Sequence, residues 1–318
     1  MTTSRPFRVA VVQFAPEIGS VEHNVKRAND LCSKLQPDSV DLVCFPEMAL
    51  TGYDFPSAEA IQPFLESPQT GPTSQFCRDL ATRLRCYVAA GYPERLSEEE
   101  KGGSTSEGSA TAVGANSAII YGPDGAHVGG YRKVCMFDTD KTWAKPGPAF
   151  TSFTLPDPIG TLSLGICMDL NPQTALWSIE KGPFEIADYC LSTTEGKPRT
   201  NVLLLLNAWL DSKEEMNEQW DLSTLNYWLL RLRPLWREKK KKGDRDESLS
   251  ELEDPLSHQR VTGPEQTIVV ICNRCGDDNG TLFAGTSAVF KLQEGSGHPD
   301  VVGVMTRQQE GVRIWTVE

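Results

Sequence analysis

The stretch Gly160–Pro172, GTLSLGICMDLNP, sets the reading of the whole chain. Leu162, Leu164 and Ile166 alternate with small residues in the pattern of a buried strand, which stops at Cys167 before Met-Asp-Leu-Asn-Pro. Cys167 therefore stands at a strand end, where a sharp turn lifts a side chain out of the core, as a nucleophile requires. A free cysteine packs more often than it reacts, so neighbouring stretches have to decide.

Two of them do. DLVCFPEMALTGY runs from an apolar strand, Leu42 to Phe45, through Pro46 into Glu47, and so places a carboxylate at a second strand end. YRKVCMFDTD sets Lys133 among apolar and aromatic neighbours, a position that suits an ammonium only beside an acidic partner. Singly, each has an ordinary alternative: a surface glutamate, or a lysine snorkelling at a sheet edge.

Together, FPEMALTGY, YRKVCMFDTD and GICMDLNP resemble the Glu-Lys-Cys segments of the nitrilase superfamily of carbon–nitrogen hydrolases. The resemblance runs from Arg8 to about Val317 and includes NVLLLLNAW, TIVVICNRCG, FAGTSAVF and the turn YGPDG. It implies a four-layer α-β-β-α sandwich with two mixed sheets, one domain over residues 1–318, and a site at strand ends. It also implies Glu47, Lys133 and Cys167 as the catalytic residues, and a homodimer joined through the helices. Glu47 would take the thiol proton and Cys167 would form a thioester, with Lys133 and a backbone N–H holding the oxyanion. No cofactor is required. The environment is expected to favour the Cys167 thiolate.

The chain departs from its relatives at two places. Relatives of that superfamily usually carry a second glutamate soon after the lysine, whereas the acids of Val134–Lys145 are Asp138 and Asp140, which leaves that role unassigned with Asp140 a candidate. The segment from Glu238 to Asp254, with five basic and seven acidic residues, is inserted where relatives join helix and strand more directly. GICMDLNP in place of the commoner GICYD-Arg resembles the branch that deamidates N-terminal Asn and Gln of proteins. A small-metabolite ω-amidase or carbamoylase is the alternative.

An enzyme selective for N-terminal residues must meet the substrate's α-ammonium with a carboxylate. Asp54, Asp138, Asp140, Asp169 and Asp211 flank the proposed site, and Tyr53, Met168, Asn171 and Trp209 share its loops. These are the candidate substrate-binding residues.

Composition narrows the remaining choices. The 318 residues suit one large α/β core, and 39% apolar residues suit a globular chain. A net charge of −12 argues against nucleic acid as partner, because phosphate binding needs a cationic surface. Nine dispersed cysteines, several inside apolar strands, read as reduced thiols, and no signal peptide or bilayer-length apolar run is present. The expected location is cytoplasmic or also nuclear, with no membrane partner. Cys272 and Cys275 form a CxxC, but no second pair stands at zinc spacing, so no metal is expected.

Along the chain, strands are expected at 7–14, 41–45, 87–92, 116–121, 125–131, up to Cys167, 201–207, 267–273, 285–292, 301–305 and 312–317. Helices are expected at 21–35, 75–84 and 173–188, with a further one from Leu222 that Pro234 should kink or end. The Gly/Ser/Glu-rich run 97–115 and the charged run 238–258 read as flexible loops.

Overall fold

The computed structural model describes residues 5–101, 112–193, 197–214, 219–238 and 266–318. Five strands come first: β1 (Phe7–Gln13), β2 (Leu42–Cys44), β3 (Tyr87–Arg95), β4 (Gly114–Tyr121) and β5 (His127–Arg132). Then come β6 (Thr151–Thr154), β7 (Thr161–Ile166), β8 (Val202–Asn207), β9 (Gln266–Asn273), a short hairpin of β10 (Asp277–Asp278) and β11 (Thr281–Leu282), β12 (Ala288–Gln293), β13 (Asp300–Val304) and β14 (Gly311–Val317). They build two six-stranded sheets, ordered β14-β1-β2-β3-β4-β5 and β13-β12-β9-β8-β7-β6. Each sheet is mixed. Parallel triplets, β1-β2-β3 and β7-β8-β9, are flanked on both sides by antiparallel strands.

Alternation along the strands explains the layering. In β1 and β2, Val9, Val11, Leu42 and Cys44 face the other sheet and meet Leu162, Leu164, Ile166, Leu204, Leu206 and Cys272 in a shared core. The intervening residues, Ala10, Val12 and Val43, face outward onto helices Val21–Leu31 and Pro72–Leu84. On the second sheet, Leu203, Leu205, Val269 and Ile271 likewise face helices Glu185–Leu191 and Leu222–Arg231. Strands covered on both faces read as unbroken apolar runs such as VLLLL. The result is the four-layer α-β-β-α sandwich that the resemblance implied.

Several expectations shift. The helix expected over 173–188 forms only at Glu185–Leu191, because Gly182-Pro183 interrupts the pattern and proline cannot continue the preceding turn. The β6 strand and the β10–β11 hairpin were not foreseen; both are short and carry no clear apolar alternation. Of the two expected loops, residues 102–111 and 239–265 lie outside the described residues. At the edges of the first, Glu98–Lys101 is a helical turn and Gly114 already belongs to β4. No helix among the described residues is long and apolar enough to cross a membrane.

Candidate active site

The carboxyl ends of both parallel triplets meet at one end of the sandwich, the location where open α/β sheets commonly hold their ligands. Glu47 follows β2, Cys167 follows β7, Asn207 closes β8 and Asn273 closes β9. Lys133 lies one residue beyond β5, opposite Asn116 of β4, whose carbonyl accepts its N–H at 2.8 Å. Five chain segments distant in sequence thus converge.

At the centre, Lys133 Nζ donates to Glu47 Oε1 and to Asp140 Oδ2, each at 2.7 Å. All three side chains are buried. Asn116 Nδ2 bridges the same two acids, at 2.7 Å to Glu47 and 3.0 Å to Asp140, and the Ala208 N–H donates to Glu47 Oε2 at 2.7 Å. The second acid that the sequence left open is therefore filled, geometrically, by Asp140. Its Oδ2 also accepts the Phe137 N–H at 3.0 Å, which closes the loop after the lysine.

Two carboxylates facing one ammonium leave the cluster with an excess negative charge, and its electrostatics follow from that. Burial pushes the Glu47 carboxyl up, Lys133 opposes, and Asp140 pushes further up. Burial alone would push Lys133 down, but Asp140 and Glu47 outweigh it and hold the ammonium well above its ordinary range. For Cys167, burial and then Glu47 push the thiol well up, against Lys133 and the Ala208 N–H. The resting thiolate expected from the sequence is thus disfavoured: another anion would add to an anionic cluster in a low-dielectric site.

Cys167 adopts φ +42°, the left-handed region that non-glycine residues rarely occupy, and opens a single turn over Cys167–Leu170. Two side chains hold this turn. Asn207 Oδ1 accepts the Cys167 N–H at 3.0 Å. Asp169 Oδ2 accepts the Ile166 N–H and the Tyr131 hydroxyl, both at 2.7 Å, while its Oδ1 accepts the N–H groups of Val134 at 3.0 Å and Cys135 at 2.8 Å. Asp169 therefore ties the nucleophile's turn to the chain just after the lysine. With both oxygens filled by the protein and no exposure, it does not serve the substrate ammonium as expected.

The other candidates separate. Asp138 is 87% exposed at its side chain and pairs with Lys141, outside the site. Asp211 is turned toward Lys213 N–H at 2.7 Å and Arg307 at 3.8 Å. Asp54 reaches Thr281 at 3.4 Å on the β10–β11 hairpin. Tyr53 does belong to the centre: its hydroxyl lies 3.5 Å from Asp140 and Lys133 Nζ stands 5.7 Å from its ring centroid. Asn171 and Trp209 line a cleft of about 350 Å³ with Leu210, Ser212, Ser223, Thr224 and Tyr227. Met168 sits at its edge of the turn, bonded through sulfur to Asn171 Nδ2.

Asn116, Asn207 and the Ala208 N–H were not singled out from the sequence. A signal existed for Asn207 and Asn273, since each closes a long apolar run with an amide at neighbouring strand ends. Asn116 gave none. The CxxC cysteines are engaged elsewhere: Cys272 Sγ points to the Val12 and Cys44 carbonyls at 3.4 Å, and Cys275 Sγ to the Gln309 carbonyl at 3.8 Å. No group of three or more metal-ligating side chains occurs among the described residues.

A buried thiol on a strained strand-end turn, beside a glutamate and lysine carried on the facing sheet, is the arrangement of a carbon-nitrogen hydrolase, and the chain belongs to that family: its model matches residues 8–186, which include Glu47, Lys133 and Cys167. The particular likeness is to protein N-terminal amidase. That of Schizosaccharomyces pombe is 30% identical over 319 residues, spanning 96% of this chain and 98% of the relative. That of Saccharomyces cerevisiae is 27% identical over 67% of this chain and 47% of the relative. Among solved structures, a crystal structure of N-terminal amidase with an Asn-Glu-Ala peptide superposes at a TM-score of 0.76, with 21% identity and 99% of both chains covered. This last likeness concerns the fold.

Proposed function

We propose that the protein is an amidohydrolase that converts N-terminal Asn and Gln of proteins or peptides to Asp and Glu, releasing ammonia. The observation that carries this reading is the likeness to an N-terminal amidase along nearly the full length of both chains. The chemistry is supported by the geometry. Glu47 accepts the thiol proton as Cys167 Sγ attacks the side-chain carboxamide carbon, and the carbonyl electron pair moves onto oxygen. Two of the three Lys133 N–H groups are committed to Glu47 and Asp140, which leaves one, with a backbone N–H after Cys167, for that oxygen.

Collapse expels ammonia with the proton from Glu47 and leaves a thioester. Water then attacks, giving its proton to Glu47 and releasing the acid and the thiol. A raised thiol pKa suits this order of events, because the proton leaves only when an acceptor carbon is in place. The excess negative charge at the centre favours a substrate that brings its own cation, as a free N-terminus does.

The test is ammonia release from Asn- and Gln-peptides with free and acetylated N-termini. Acetylation should lower kcat/KM about a hundredfold, the loss of a charge-assisted contact of roughly 3 kcal/mol. Equal turnover of both forms would leave a general amidase. Preference for free glutamine or other ω-amides would favour the small-metabolite reading.

A further inference from the structure

Eight buried side-chain polar atoms lack a partner among the described residues, and one of them belongs to the side chain that holds the nucleophile's backbone: Nδ2 of Asn207. The other end of the same amide is engaged, since Oδ1 accepts the Cys167 N–H at 3.0 Å, which fixes the orientation of the group. The reversed amide would set two donors face to face. The next residue continues the arrangement, because Ala208 N–H holds Glu47 Oε2 at 2.7 Å. The dipeptide Asn207-Ala208 thus touches the nucleophile's backbone and the base together.

A fully buried, unpaired N–H donor is costly to maintain, and buried donors of native proteins find acceptors. At this position the acceptor absent from the free protein is the one the substrate brings. We propose that Asn207 is a catalytic residue whose Nδ2 donates to the substrate carboxamide oxygen and strengthens that bond as the oxygen becomes an oxyanion. In the attack the Cys167 Sγ–carbon bond forms, the carbonyl π pair moves to oxygen, and the Nδ2 proton stays on nitrogen while binding that charge. When the pair returns, the carbon–nitrogen bond breaks and ammonia leaves. Asn207 thereby joins Lys133 as a donor from the second sheet, opposite the first. The inference rests on the amide-hydrolysis reading above, though not on which amide is the substrate.

Asn207→Asp separates the two ends of the side chain. It keeps an oxygen for the Cys167 N–H and removes the donor. kcat for an Asn-peptide should fall roughly a hundredfold, as for loss of one oxyanion donor, with KM within about threefold. The rate of Cys167 alkylation by iodoacetamide, which reads the thiol without substrate, should fall far less than kcat. Near-normal kcat would overturn the assignment. So would equal falls in kcat and alkylation, because the new charge would then be acting through the thiol. If circular dichroism shows that this variant does not fold, Asn207→Ser applies, since its short hydroxyl cannot serve both ends, and the same loss of kcat is expected. A wild-type protein that ignores peptides but hydrolyses an ω-amide would sink the N-terminal reading and leave this test in force with that amide.

Discussion

Asp140 Oδ2 lies 2.7 Å from Nζ of Lys133, seven residues earlier in the chain, and both side chains are buried. Asp140 also contributes to pushing the Glu47 carboxyl up. Asp140→Asn should therefore lower the Glu47 pKa and move the acid limb of kcat/KM to lower pH. It should also cost about 3 kcal/mol in denaturant unfolding, as for breaking a buried ion pair. An acid limb that stays put or moves up would show that Asp140 does not act on the base.

Gly91 of β3 permits the glutamate turn to pack where it does. A Cβ there would lie 2.6 Å from Glu47 Cα, 2.8 Å from Met48 N and 2.9 Å from the Pro46 carbonyl oxygen, all backbone atoms that cannot swing away. Gly91→Ala should displace Glu47 from Lys133, lowering kcat at least about tenfold and stability by roughly 1–3 kcal/mol. Normal turnover in a folded Gly91→Ala protein would contradict this.

Asp169 satisfies four donors, whereas an asparagine offers one oxygen and turns an amine toward the rest. Asp169→Asn should lose on the order of 3 kcal/mol of stability. Its preference for free over acetylated Asn-peptides should stay within about twofold of wild type, because Asp169 does not face the substrate. A collapse of that preference would return Asp169 to ammonium recognition.

The direction of the Cys167 and Glu47 shifts sets a pH profile. The working base is the ionised glutamate, and burial raises its pKa, so kcat/KM should fall with acid at a pH above the ordinary value of 4.5. Because burial and Glu47 raise the thiol, iodoacetamide without substrate should modify Cys167 at pH 7 more slowly than N-acetylcysteine and accelerate with rising pH. Rapid labelling at pH 6 would mean a resting thiolate.

Glu66 provides a pH-dependent stability outside the site. It is buried with no cationic partner among the described residues, bonded to the N–H and hydroxyl of Thr73 at 2.8 and 2.7 Å, and burial raises its pKa from 4.5 to about 7. The folded state holds this proton more tightly than the unfolded chain. The stabilisation is thus fully present below pH 4.5 and lost as pH rises through about 7, on the order of 3 kcal/mol at most. Glu66→Gln, whose amide can still meet Thr73, should flatten the change in unfolding free energy between pH 5 and 8. An unchanged slope would place that pH dependence elsewhere.

The sequence by itself determined which runs are buried strands and where they stop, because both depend on local pattern, while the sandwich topology and the roles of Glu47, Lys133 and Cys167 were implied by the resemblance to the nitrilase superfamily. Apolar runs covered on two faces, such as VLLLL and TIVVIC, mark buried strands wherever they occur, and Glu47 and Cys167 each stand where such a run is cut off. Lys133 was legible as an ammonium out of place. What only the tertiary structure decided was how the charges and amides around those residues are spent. Asp138, Asp140, Asp169 and Asp211 look alike in sequence, yet one is solvated, one grips the lysine, one is filled by four protein donors and one turns to Arg307. The same holds for the thiol of Cys167, whose ionisation depends on desolvation and on charges from two distant segments, Glu47 on one and Lys133 with Asp140 on the other. A carboxylate's role is set by the donors within about 3 Å of its oxygens, and when those come from strands dozens of residues away, only the assembled sheets bring them there.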